Sequence, residues 1–167
     1  DRLVGSEMCI RDRYFSVVSG PIQAFGGVIH QFQGDAVLAT FNLPIEDENH
    51  AANAVRAALA IQDALESPFV VEGHEVLLKT RVGINTGTMV GGTVGTESRL
   101  GYTVHGDNVN LAARIEQLNK EYGTSVLVSV TTRRAAGEAF DFSAIGVVRV
   151  RGRDKPVSLY ALHRRRA

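Results

Sequence analysis

The stretch from Gly26 to Phe41, Gly-Gly-Val-Ile-His-Gln-Phe-Gln-Gly-Asp-Ala-Val-Leu-Ala-Thr-Phe, constrains the fold of this chain most. Two strand-forming runs, Val28 to Gln33 and Ala36 to Phe41, flank Gly34-Asp35. A Gly-Asp pair between such runs predicts a tight hairpin, because Gly34 supplies the positive φ that the reversal needs. Asp35 then sits at the tip with its carboxylate directed away from the sheet. Alone, an aspartate there is a turn residue. Whether it does more depends on polar residues elsewhere in the chain.

A chain of 167 residues is long enough for one domain with a substantial core. Its formal net charge of zero supplies no basic field for nucleic acid or an anionic membrane surface. No apolar run reaches the length of a membrane span. Residues 1–13 resemble the conceptual translation of a transposon-end sequencing adapter and show no period that continues into Tyr14, so we set them aside from fold reasoning. Cys9, the single cysteine, leaves with them, and no disulfide or thiolate site remains. The domain is therefore residues 14–167, expected to lack its beginning.

Phe15, Val18, Ile22 and Phe25 recur at helical spacing up to a stop at Gly26-Gly27, with a kink or late start expected at Pro21. Asp47 to Leu65 carries the clearest helical stripe, with Ala58, Ile61 and Leu65. Val76 to Ile84 alternates as a strand, and Met89 to Val94 runs back from a Thr86-Gly87 turn. Leu100 to Gly106 leads into a helix from about Asn108 to Lys120, with Asp107 as its expected N-cap. A strand at Ser125 to Val130, a short helix at Thr131 to Ala136, and a last hairpin of Val147 to Arg151 with Val157 to Leu162 complete the order. Helices between antiparallel hairpins predict an α+β sandwich of the ferredoxin-like kind, short of its first strand. The tail Arg164-Arg165-Arg166 is expected to be solvated.

The second informative stretch is Gly101-Tyr-Thr-Val-His-Gly-Asp-Asn-Val-Asn-Leu-Ala-Ala-Arg114. Asn110 and Arg114 share one helix face, away from the Leu111, Ile115 and Leu118 stripe. Asn110 also lies in the first turn, where free amides and the helix dipole favour an anion. His30 and His105 fall within the two stretches that carry the candidate site, but no metal-ligand spacing accompanies them, so solvent-facing or supporting roles are expected.

Together, Gly-Gly-x4-Phe-x-Gly-Asp, the run Thr80 to Gly87, the run Tyr102 to Arg114 and the run Arg149 to Arg153 resemble the catalytic domain of class III adenylyl and guanylyl cyclases. The likeness covers Tyr14 to about His163. It implies conversion of ATP or GTP to the 3',5'-cyclic nucleotide and pyrophosphate for intracellular signalling. The active sites would form between two head-to-tail protomers, each holding two Mg²⁺ or Mn²⁺ ions. On the family pattern Asp35 binds metal, Arg81 contacts the triphosphate, Asn110 positions the ribose and Arg114 stabilises the transition state. Arg151 stands where a phosphate-binding lysine is usual, and Gln31 and Thr103 occupy the purine-reading positions. The resemblance further implies regulatory domains in a longer parent chain and a cytoplasmic setting, membrane-anchored or not.

Two departures follow from the same residues. The family's other metal aspartate has no counterpart before Gly26, so this chain as it stands is expected to be inactive. Gln31 replaces the usual lysine or glutamate, and its amide can meet either purine. Thr103 is the residue carried by many bacterial adenylyl-type domains, so the resemblance implies ATP over GTP. The competing reading is a non-catalytic domain that dimerises and binds nucleotide. A diguanylate cyclase would need an acidic pair where Gly34-Asp35-Ala36 stands, and would leave Asn110 and Arg114 unexplained.

Overall fold

The computed structural model describes residues 2–33, 36–96 and 99–164, with side chains described over 10–30, 36–92 and 104–164. It opens on helix α1 (Arg2–Ala24), which runs unbroken through residue 13. This corrects the expectation that no regular structure crosses into Tyr14. Arg13 is tied to the fold as well: its guanidinium lies 5.5 Å from the Phe69 ring centroid and Nη1 donates to Val70 O at 3.3 Å. Pro21 does not delay the helix; it stands in the last turn, where little helix remains to be disturbed. The stop falls at Gly26-Gly27, whose amides close back on Gln23 O and Ile22 O.

Strands β1 (Val28–Gln33) and β2 (Ala36–Thr40) form the expected antiparallel hairpin. Gln33 pairs with Ala36, so the two-residue connection is Gly34 and Asp35, which lie outside the described residues. A bulge between Ile29 and Gln31 places His30 out of register, and His30 Nε2 meets the Thr40 hydroxyl. Helix α2 (His50–Ala64) follows, centred on the buried Val55, Ala58 and Ile61. Next comes a small hairpin of β3 (Phe69–Val71) and β4 (His74–Val76), then β5 (Val82–Ile84). The expected strand Val76 to Ile84 is thus two strands separated by an irregular segment. β6 (Val90–Thr96) and β7 (Arg99–His105) pair antiparallel and lead into α3 (Asp107–Tyr122). β8 (Val126–Ser129), α4 (Val130–Ala136), β9 (Asp141–Val148) and β10 (Val157–His163) end the described chain.

The central sheet has four strands in the order β5-β8-β10-β9, with β5 and β8 parallel and the rest antiparallel. β8 is buried on both faces. Leu127 faces α3, joining Leu111, Ile115 and Leu159, whereas Val126 and Val128 face α2 with Val55 and Ala58. Period-two alternation sends one strand into two cores. A third cluster packs Val18 and Ile22 of α1 against Ile61 and Leu65.

The N-terminus of α2 is built by Asp47. Its Oδ2 accepts from Asn53 Nδ2 at 2.8 Å, and its Oδ1 from the Asn49 amide at 2.9 Å. These bonds, with the nearby His50, hold its carboxyl below the ordinary aspartate value of 3.8. A depressed folded value means that this contribution is present above 3.8 and is lost as pH falls through the folded value. In urea unfolding, the stability gap between wild type and Asp47→Asn is expected to shrink as pH drops from about 5 to about 3. A gap that stays constant over that range would remove the carboxylate from the cap.

Candidate active site

Helix α3 begins after Gly106, whose carbonyl accepts the amides of Val109 and Asn110. Gly106, not Asp107, is the capping residue, and it brings no side chain to cap the helix. The Asn110 amide is consumed by its 3.2 Å bond to Gly106 O, which corrects the expectation that it is open to an anion. What Asn110 offers is its exposed side-chain amide. Arg114 lies one turn on, also exposed, while Leu111, Ile115 and Leu118 are buried beneath.

Across from this face runs the connection 149–156 between β9 and β10. Arg151 therefore stands in a turn, a correction to its expected place at the end of a strand. The Arg153 amide bonds Val150 O at 3.0 Å and Gly152 has φ of 87°, so residues 150–153 form a reversal with Arg151 near its apex. Asn110, Arg114 and Arg151 line a single groove of about 210 Å³, together with Asp107, Leu111 and Arg153. Its charged lining is three guanidiniums and one carboxylate, a field suited to a polyanion.

The remaining predicted residues stand elsewhere. Arg81 does not line this groove; its Nε lies 3.6 Å from Glu116 Oε1 of α3. Gln31 and Thr103 fall on β1 and β7, strands that lie against each other, and their side chains are outside the description. Asp35 is outside it altogether. Among the described residues no three His, Cys, Asp or Glu side chains gather to hold a metal ion. The described donors therefore do not make up the metal centre that the resemblance implies, and no step is derived through one.

Sequence reasoning missed Asn108 and Arg153. Asn108 Oδ1 accepts from Arg153 Nη2 at 2.9 Å and from Asn85 Nδ2 at 3.0 Å, and its Nδ2 donates to Thr88 O at 2.8 Å. The run Arg149 to Arg153 forms part of the family resemblance, but nothing in the sequence pairs residue 153 with residue 108.

Residues 30–164 match the adenylate and guanylate cyclase catalytic domain family. The chain belongs to this family. Over 149 residues the cyclase domain is 41% identical to adenylate cyclase 1 of Rhizobium meliloti, a match covering 88% of this chain and 22% of that protein. The chain spans between 8% and 30% of the length of the first three curated relatives it matches. Its fold superposes on the crystal structure of the guanylyl cyclase Cya2 with a TM-score of 0.82 at 30% identity, covering 95% of this chain and 80% of that one. The adenylyl cyclase CyaB from P. aeruginosa gives 0.77 at 26% identity, covering 95% and 83%. The α+β class and the cyclase resemblance both hold. Among the described residues no helix is long and apolar enough to cross a membrane.

Proposed function

We propose that this domain belongs to a purine nucleotide cyclase that forms a 3',5'-cyclic nucleotide from ATP, and less readily from GTP, for signalling in the cytoplasm. The carrying observation is the convergence of Asn110, Arg114 and Arg151 on one groove from two separate elements. In this reading the triphosphate lies along the groove. Guanidinium groups bond phosphate oxygens in forked, charge-assisted pairs. The Asn110 amide orients the ribose. The 3'-hydroxyl oxygen attacks the α-phosphorus in line, its proton leaves to solvent, and the bond to the β-phosphate oxygen breaks to release pyrophosphate. Arg114 offsets the charge that develops at the α-phosphate.

Gln31 and Thr103 read the purine, and Arg81 is released from Glu116 to reach the phosphates. Asp35 comes from the twin protomer of a head-to-tail homodimer, as the family resemblance implies. The Mg²⁺ or Mn²⁺ pair of an intact domain needs a second carboxylate beyond those described, so residues 14–167 hold nucleotide without turning it over. Regulatory domains of the longer parent complete the assembly.

Equilibrium dialysis of the chain with ATP and with GTP, followed by chromatography of the products, tests this. ATP is expected to bind more tightly than GTP, with no cyclic nucleotide formed. Product from this chain overturns its inactivity, and failure to bind either triphosphate overturns the cyclase reading.

A further inference from the structure

Three elements meet at the Asn108 side chain. Asn85, just past β5, donates Nδ2 to both Asn108 O and Asn108 Oδ1 at 3.0 Å. Thr88, in the approach to β6, accepts from Asn108 Nδ2 at 2.8 Å. Arg153, in the β9–β10 connection, donates Nη2 to Asn108 Oδ1 at 2.9 Å. Both lone pairs of that oxygen are in use, so its position is fixed from two sides. The amide also fills the space over Gly87: a Cβ built there lies 2.4 Å from Asn108 Cγ and Nδ2. Any larger residue at position 87 displaces it.

Arg153 closes the reversal whose apex carries Arg151, and the same residue is pinned to the first turn of α3. The pin therefore sets the distance between Arg151 on one wall of the groove and Asn110 and Arg114 on the other. A surface connection of this kind otherwise samples many conformations, and ordering it on ligand binding costs affinity. We infer that Asn108 and Arg153 form a latch that holds the Arg151 turn across the groove before substrate arrives, an inference that rests on the cyclase reading above. Both are positioning residues. Arg153 directs one of its nitrogens to Asn108, and its task is carried out through Arg151. Gly87 belongs to the device because its missing side chain leaves room for the amide.

The test compares the full chain with Arg153→Ala, Asn108→Ala, Gly87→Ala and Arg153→Lys. Two quantities are read: ATP affinity by titration calorimetry, and hydrogen exchange of the backbone amides of residues 149–155. The first three variants are expected to lose protection in that segment and to bind ATP about tenfold more weakly, a change of about 1.4 kcal/mol. Arg153→Lys keeps one donor to Asn108 Oδ1 and is expected to recover most of both. Gly87 and Asn108 do not line the groove, so loss of affinity there comes through the turn. Arg153 lies on the surface connection, so its alanine variant is expected to fold. Because Arg153 also lines the groove, the latch is told from lost charge by hydrogen exchange of the turn and by the affinities of Asn108→Ala and Gly87→Ala. Wild-type binding with equal binding by Arg153→Ala overturns the latch and leaves the cyclase reading intact. Unchanged exchange in Arg153→Ala overturns the latch likewise. No ATP binding by wild type overturns the reading and the positioning role together.

Discussion

Arg114→Ala is expected to lower the turnover number of the full-length cyclase by about 10²–10³-fold, with a smaller change in KM. The magnitude is that of losing one donor aimed at charge that appears in the transition state. The geometry supports a direct role over a structural one. The Arg114 side chain is 46% exposed, and its ion pair with Glu121 spans 3.7 Å between two exposed groups. A pair of that kind contributes about 0–1 kcal/mol, so the guanidinium is easily diverted to a phosphate. The buried side of α3 is carried by Leu111, Ile115 and Leu118, and it survives the substitution. Thermal stability should hardly move while turnover collapses. Steady-state kinetics beside a melting curve checks this, and full turnover in the variant refutes the role given to Arg114.

The elements that sequence made visible are those whose side-chain period is undisturbed. The α3 stripe repeats as expected, and the Gly34-Asp35 connection is bracketed by the pairing of Gln33 with Ala36. The strand β9 was hidden by a bulge. Leu159 pairs with Gly146 and Tyr160 with Ala144, so Ile145 is squeezed out of register and Gly146 takes φ of 147°. The apolar residues Phe142, Ile145 and Val148 then recur every three positions, a spacing that reads as neither strand nor helix. The Arg149-Val150-Arg151 alternation imitated the strand instead, although pairing ends at Val148. The β3–β4 hairpin was also missed. Its turn is Glu72-Gly73 with φ of 51° and 79°, and glutamate is an uncommon residue at such a φ. For the site, α3 announced Asn110 and Arg114 through their own spacing. The partners of Arg81 and Arg153 are contacts between distant segments, and no local pattern carries them.

Gly83→Ala should be the most damaging small substitution in the fold, costing about 3 kcal/mol and lowering the melting temperature by about 10 °C. Gly83 is the middle residue of β5, at the edge of the four-stranded sheet. A Cβ there lies 2.3 Å from Glu116 N, 2.6 Å from Ala112 O and 2.8 Å from Glu116 Cα. All three atoms are helix backbone, so no rotamer change relieves the contact. Either β5 or the whole of α3 must move. Movement is resisted close by: the buried Asn119 donates Nδ2 to Val82 O and to Glu116 O at 3.0 Å, and Thr124 donates to Asn119 Oδ1 at 2.8 Å. Separating helix from strand leaves those buried groups short of partners, which adds to the steric cost. The same helix carries Asn110, Arg114 and the Asn108 end of the latch. One methyl group outside the groove should therefore weaken nucleotide binding as well as stability. Differential scanning calorimetry and ATP titration of the variant measure the two effects. An unchanged melting temperature would mean that α3 rides on β5 loosely enough to lift, and that the groove is not fixed by the sheet beneath it.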